Sequence, residues 1–179
     1  MAFNVTEFRA NLLGDGARPN LFQVSLTFPT VANSSVAGQR ISFLAKTAQL
    51  PGSTVGTVPL YYFGREMKFA GNRTFPDWSI TIINDEDFDV RNAFERWMDA
   101  VNSHSLNIRN PAAANQLLYT TDATVTQFSK TGLPLKSYKF VGMFPTDVSP
   151  IELDWGSNDS IEEFGVTLAY QWWESDTTT

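Results

Sequence analysis

The sequence predicts a mainly β chain. Two antiparallel sheets pack as a sandwich or small barrel, with one flanking α-helix and an extended β-hairpin arm. Three observations lead there. Apolar and polar residues alternate through about seven or eight short segments, the period of a pleated strand with one buried face. One segment, after Ile83, changes to a helical period. Connections are short, and no repeat or composition shift marks a boundary, so residues 1–179 read as a single domain of antiparallel neighbours.

The stretch 73–101 organises the rest. In Trp78–Ile83, Trp78, Ile80 and Ile82 share one strand face, and Ser79, Thr81 and Ile83 the other. Asn84-Asp85-Glu86-Asp87 is a polar stop. Val90, Phe94, Trp97, Met98 and Val101 then recur as one apolar stripe, which predicts an amphipathic helix within 85–103. Asp85, Glu86, Asp87 and Asp89 crowd its start, where free N–H groups and the macrodipole favour negative charge.

The other elements follow in chain order. Residues 1–19 open with a short helical turn carrying Phe3, Phe8, Leu12 and Leu13, which Gly14, Gly16 and Pro19 break. Phe22, Val24, Leu26 and Phe28 alternate with polar residues in a half-buried strand closed by Pro29. A small-residue loop at 30–39 leads to a mixed strand at 41–50, with Ile41, Phe43 and Ala45 on one side. Leu50, Pro51, Gly52 and Ser53 make a turn. The arm at 50–72 has strand-like pieces cut by Gly56, Pro59, Gly64 and Gly71, and it displays Tyr61, Tyr62 and Phe63. Such a hairpin makes a poor core element and a good reach toward a neighbouring molecule.

Past the helix, 103–110 leads into the loop PAAANQ, and 123–130 is the next strand. Thr131-Gly132-Leu133-Pro134 turns the chain. Residues 136–144 form a strand with Tyr138, Phe140, Gly142 and Phe144 on one face. Residues 148–155 form another, with Ile151, Leu153 and Trp155 alternating and Pro150 at an edge or bulge. In the last strand Phe164, Val166, Leu168, Tyr170 and Trp172 alternate, and 174–179 frays. Of Trp172 and Trp173, strand geometry puts one ring in the core and the other toward solvent or another subunit.

Chemistry is sparse. The chain has no Cys and one His, which removes disulfides, zinc–thiolate sites and thiol nucleophiles. His104 sits past a helix end, where the dipole favours a structural imidazole. Asp85, Asp87 and Asp89 have the spacing that opens a calcium loop. Val90 then stands where that loop needs Gly, and Arg96 where it needs a bidentate Glu. No phosphate loop or catalytic triad is present. The net charge of −6 argues against a sequence-independent binder of DNA or anionic membrane. No run is long enough for a membrane span, and MAFNVTEFRANLL lacks the pattern of a signal peptide. No enzyme, cofactor or metal is expected.

Four blocks carry a family resemblance. They are Ala17-Arg18-Pro19-Asn20-Leu21-Phe22, then Leu50-Pro51-Gly52-Ser53-Thr54 with its hairpin, then Arg73-Thr74-Phe75 through the NDEDF run and Arg91-Asn92-Ala93-Phe94-Glu95. The last is Phe144-Pro145-Thr146-Asp147-Val148-Ser149, running through Ile151–Trp155 into the final strand. In this order and spacing the chain resembles the tail tube proteins of contractile-tailed bacteriophages. The resemblance implies a structural protein whose hexameric rings stack into the rigid inner tube of a virion tail assembled in the host bacterial cytoplasm. It implies as partners the contractile sheath protein, baseplate tube-initiating proteins, the tape-measure protein and a tail terminator. Genomic DNA would pass through the lumen without sequence-specific binding. Phe3, Phe8, Leu50, Pro51, Gly52, Ser53, Tyr61, Tyr62, Phe63, Arg65, Arg73 and Trp173 are the candidate interface residues. The alternatives are the tube of a type VI secretion or tailocin system, and a ligand-binding sandwich with Tyr61, Tyr62 and Trp173 lining a groove.

Overall fold

The computed structural model describes residues 5–32 and 34–178. In chain order the elements are α1 (Val5–Asn11), β1 (Phe22–Leu26), α2 (Ser35–Leu44), β2 (Ala45–Ala48), β3 (Thr54–Tyr62), β4 (Arg65–Thr74), β5 (Trp78–Ile83) and α3 (Asp89–Val101). They continue with α4 (Gln116–Tyr119), β6 (Thr121–Phe128), β7 (Pro134–Val148), β8 (Glu163–Ala169) and β9 (Trp172–Ser175).

All strand pairings are antiparallel, and β7 belongs to two layers. Its first half pairs with β6 and β9, and β6 pairs with β1. Its last residues pair with β8, which continues through β5 to β2. β1 and β2 each have a single strand partner, so the sheets do not close into a barrel. The change of layer comes at a bulge. Ala123 faces Phe140 but Thr121 faces Met143, so β7 carries one extra residue there. Gly142 takes φ +66°, and its N–H donates to Asp122 Oδ1 at 3.1 Å. The extra residue shifts the alternation. Phe140 and Met143 are both buried, and Gly142 and Phe144 do not continue the Phe140 face as their spacing suggests.

One core lies between the layers. Val24, Leu26, Val125 and Phe140 come from one side, and Trp78, Ile80, Ile82, Phe164, Val166 and Leu168 from the other. The Trp78 and Phe140 rings meet at 4.6 Å, and Phe140 meets Tyr170 edge-on at 5.0 Å. The expected stripe of α3 is its buried face, with Val90, Ala93, Phe94, Trp97 and Ala100 inside. Phe28 packs edge-on against Phe94, and Trp97 donates its indole N–H to the Tyr119 carbonyl at 2.6 Å.

Three readings of the sequence are corrected. The strand expected at 41–50 begins as a helix, α2, capped by Ser34 Oγ accepting from the Ala37 N–H. Ala37 and Ile41, one turn apart, are its buried residues. A Cβ on Gly38 would meet the Leu26 carbonyl at 3.1 Å, so the helix rests against β1 with its close approach at this glycine. Residues 149–162 are an irregular loop rather than a strand, and Leu153 and Trp155 point into solvent. The final strand breaks after Ala169. Trp172–Ser175 re-pairs with β7, so Glu174 and Ser175 belong to the sheet rather than to a frayed end.

Candidate assembly surfaces

β3 and β4 form a two-stranded sheet of their own and bury no side chain in the core. The hairpin turns at Phe63 (φ +45°) and Gly64 (φ +81°), both left-handed as a type I′ turn requires. Near the foot a bulge falls between Val55 and Thr57. A Cβ on Gly71 would there meet the backbone of Gly56 at 3.1 Å, so a side chain would have to push the two strands slightly apart. Opposed pairs share a face. Val58 with Phe69, Leu60 with Met67, and Tyr62 with Arg65 make a largely apolar side. Pro59 with Lys68 and Tyr61 with Glu66 make the other. Both sides are exposed. An amphipathic ribbon of this length with nothing on its apolar side is a surface shaped for contact.

The predicted interface residues fall into three groups. Leu50, Ser53, Tyr61, Tyr62, Phe63, Arg65 and Arg73 are exposed on the hairpin or its foot, with Phe63 at 91 %. Phe8 is exposed on α1, a helix with no buried residue. Phe3 lies outside the described residues. Pro51 and Trp173 are half-buried, and Gly52 accepts the Trp173 indole N–H through its carbonyl at 3.0 Å. Trp173 also packs edge-on against Tyr138. Of the two tryptophans, Trp173 is the inward one, and Trp172 points outward. Parity alone could not say which.

Two exposed features escaped the sequence reading. Trp155 is 99 % exposed, flanked by exposed Leu153 and Ile161 in the loop 149–162. Pro150 and Gly156 were the available signals of a loop there. The other is Leu133 with Leu135, beside the turn into β7.

The ionisable groups serve structure. Arg40 Nη1 donates to Asp85 Oδ2 at 2.6 Å and Asp87 Oδ2 at 3.2 Å, and pairs with Asp89 Oδ2 at 2.9 Å. These carboxylates lie within 4.8 Å of one another, and the guanidinium holds the place a cation would take. The bonds to Asp85 and Asp87 raise the Arg40 pKa further. The run 85–88 thus wraps Arg40 of α2, which is why α3 begins only at Asp89. His104 donates its backbone N–H to Asp99 Oδ1 at 3.0 Å, with Nδ1 at 2.9 Å from the same oxygen. These contacts depress the Asp99 carboxyl. Among the described residues no nucleophile, base and orienting group converge.

Comparison with known proteins places this architecture. A family model described as phage tail tube protein matches residues 17–176. This chain belongs to the phage tail tube protein family. Tail tube protein gp19 of Enterobacteria phage T4 is 36 % identical over 167 residues, covering 93 % of this chain and 96 % of the relative. The tail tube protein of Serratia phage KSP90 is 29 % identical over 168 residues, covering 93 % of each. Among solved structures, a chain of the anti-feeding prophage baseplate gives a TM-score of 0.66 at 14 % identity, covering 89 % of this chain and 94 % of that one. A chain of the sheath–tube complex of the PVC extracellular contractile injection system gives 0.56 at 16 % identity, covering 98 % and 99 %. At such identities the structures speak for the fold. The family match and the curated relatives speak for the role: a tail tube protein is a structural component of the virion tail and not an enzyme.

Proposed function

We propose that six copies of this tail tube protein close into a ring, and that rings stack into the rigid inner tube of a contractile tail. The tube would act as the conduit for the genome. The observation that carries this reading is the β3–β4 hairpin, which adds nothing to its own core and holds an apolar face open to a neighbour. In the stack the arm 50–72 bridges one ring to the next, and the segment around Phe8 docks on an adjacent copy. The partners are the sheath protein outside, the tape-measure protein inside, and the baseplate initiators and tail terminator at the two ends. Support for this environment comes from neighbours in fold drawn from a baseplate, a tube-terminating cap and a sheath–tube complex. Six chains at −6 each give a ring net charge of about −36, suited to a wall that DNA slides past.

Negative-stain electron microscopy of the purified chain, beside its mass in solution, tests the reading. Hollow tubes or rings are expected. A monomer that adds to no ring even when offered a baseplate template would overturn it.

A further inference from the structure

The hairpin and the loop 149–162 lie at opposite ends of one strand. The hairpin ends at Thr74, just before Trp78, the first residue of β5. The loop runs into Glu163, which pairs with Ile83, the last. At about 3.3 Å per residue, the six residues of β5 hold the two surfaces roughly 17 Å apart. The loop is pinned at both ends. Arg91 donates to the Ser149 carbonyl at 3.2 Å, and Asn84 donates its backbone N–H to the Glu162 carbonyl at 2.8 Å.

Their charges are opposite. The hairpin carries Arg65, Lys68 and Arg73 against Glu66, and among the described residues none of its three cations makes an ion pair within the chain. Arg40, Lys46, Arg91, Lys136 and Lys139, by contrast, all pair with carboxylates of their own chain. The loop carries Glu152, Asp154, Asp159 and Glu162, and no Lys or Arg follows Lys139 anywhere in the sequence. Both surfaces also expose apolar groups. Trp155, Leu153 and Ile161 stand on the loop, and Val58, Leu60, Met67 and Phe69 on the hairpin.

We infer that the receiver of the hairpin is the loop 149–162 of a second copy of this chain. Leu153 and Trp155 meet the apolar hairpin face, where Arg65 meets Glu152, and the loop reaches round the ribbon's edge so that Asp159 meets Lys68 on the other face. The inference rests on the stacked-ring reading and names the surface that the arm engages. A contact between two different patches at opposite ends of a subunit is heterologous. Unlike a self-complementary contact, which ends at two copies, it leaves a free patch at each end and so can repeat along an axis, which a tube requires. Aromatic and basic groups on opposing faces also suit cation–π contact.

Charge exchange tests it on the full-length chain. Arg65→Glu with Lys68→Glu makes hairpin and loop both acidic. Glu152→Lys with Asp154→Lys and Asp159→Lys makes both basic. None of these residues is in the core. Each variant alone should lose tube or ring-stack assembly by at least tenfold, and an equimolar mixture should recover to within about threefold of wild type. Sedimentation velocity and negative-stain imaging read both. Either variant assembling alone at wild-type yield would overturn the pairing and leave the tube intact. So would a mixture no better than its components beside a wild-type chain that assembles. Absence of assembly by wild type and mixture alike, on a pre-formed tube end as well as in solution, would overturn the tube reading itself.

Discussion

Trp173 donates its indole N–H to the carbonyl of Gly52, 3.0 Å away, and so fastens the last strand of the sheet to the foot of the hairpin. The bond joins residues far apart in sequence, at the place where an otherwise self-contained ribbon leaves the core. Trp173→Phe keeps most of the ring packing and removes the donor. The expected cost in urea unfolding is about 1 kcal/mol. Amide exchange should speed up at 50–54 and stay unchanged in β5. Unchanged exchange at 50–54 would show that the bond does not hold the hairpin's foot.

Removing the hairpin separates folding from assembly. A chain with 55–71 replaced by a short Gly-Ser turn keeps every core residue. It should unfold cooperatively near the wild-type midpoint, stay monomeric and fail to extend tubes. Normal tubes from that chain would show that the arm does not connect rings.

Two glycines make a matched pair of probes. Gly142→Ala places a Cβ 2.9 Å from Gln171 Cγ at φ +66°, in the bulge that carries β7 between layers. It should lower global stability by about 1–2 kcal/mol. Gly71→Ala brings a Cβ to 3.1 Å from the Gly56 backbone and crowds the hairpin, which is no part of the core. Global stability should stay near wild type, while assembly falls. Equal losses of stability in the two variants would contradict this division.

Arg40→Ala leaves Asp85, Asp87 and Asp89 facing one another without their shared cation. The expected result is a lower thermal midpoint, partly restored by millimolar calcium, which has no such effect on wild type. A midpoint that does not move would mean that solvent screens the cluster and that the clamp contributes nothing.

Asp99 gives a pH signature. The His104 backbone N–H, followed by its ring, favours the charged carboxylate and holds the folded pKa below the ordinary value. Its contribution is therefore full above the unfolded carboxylate pKa and is lost as pH falls through the lower folded one. Carbon-detected NMR titration should find Asp99 among the low carboxyl midpoints, and His104→Gly should raise it. An unchanged midpoint in that variant would remove the imidazole ring as a cause and leave the backbone N–H at 104 alone.

The sheet around Trp78–Ile83 and the stripe of α3 were legible because each places several large apolar residues at one clean period and then ends in polar residues. Helix α2 was hidden by its composition. Its buried side needs only Ala37 and Ile41, and the close contact with β1 is made at Gly38, a poor helix former. The alternation of Ile151, Leu153 and Trp155 misled for another reason. Alternation says that two faces differ, not that this chain covers either of them. At β7 one inserted residue changed the parity of everything after it, and no composition signal announces a bulge except Gly142. The hairpin arm was readable as an arm, because its aromatics stand among glycines and a proline that would spoil a core. Which tryptophan faced inward depended on the Gly52 carbonyl, a partner that sequence spacing does not reveal.

The hairpin's hydrogen bonding to itself alone has a kinetic consequence. An isolated two-stranded ribbon in water is marginally stable, so ordering this arm falls largely to the copy that it docks on. Fixing that arm costs entropy at the moment of docking, and the first encounter between two solitary subunits bears that cost with few contacts in return. A subunit arriving at a finished ring meets several prepared receivers at once. In the proposed tube, growth would then be fast where a start already exists and slow everywhere else, so free subunits would not spend themselves on stray filaments.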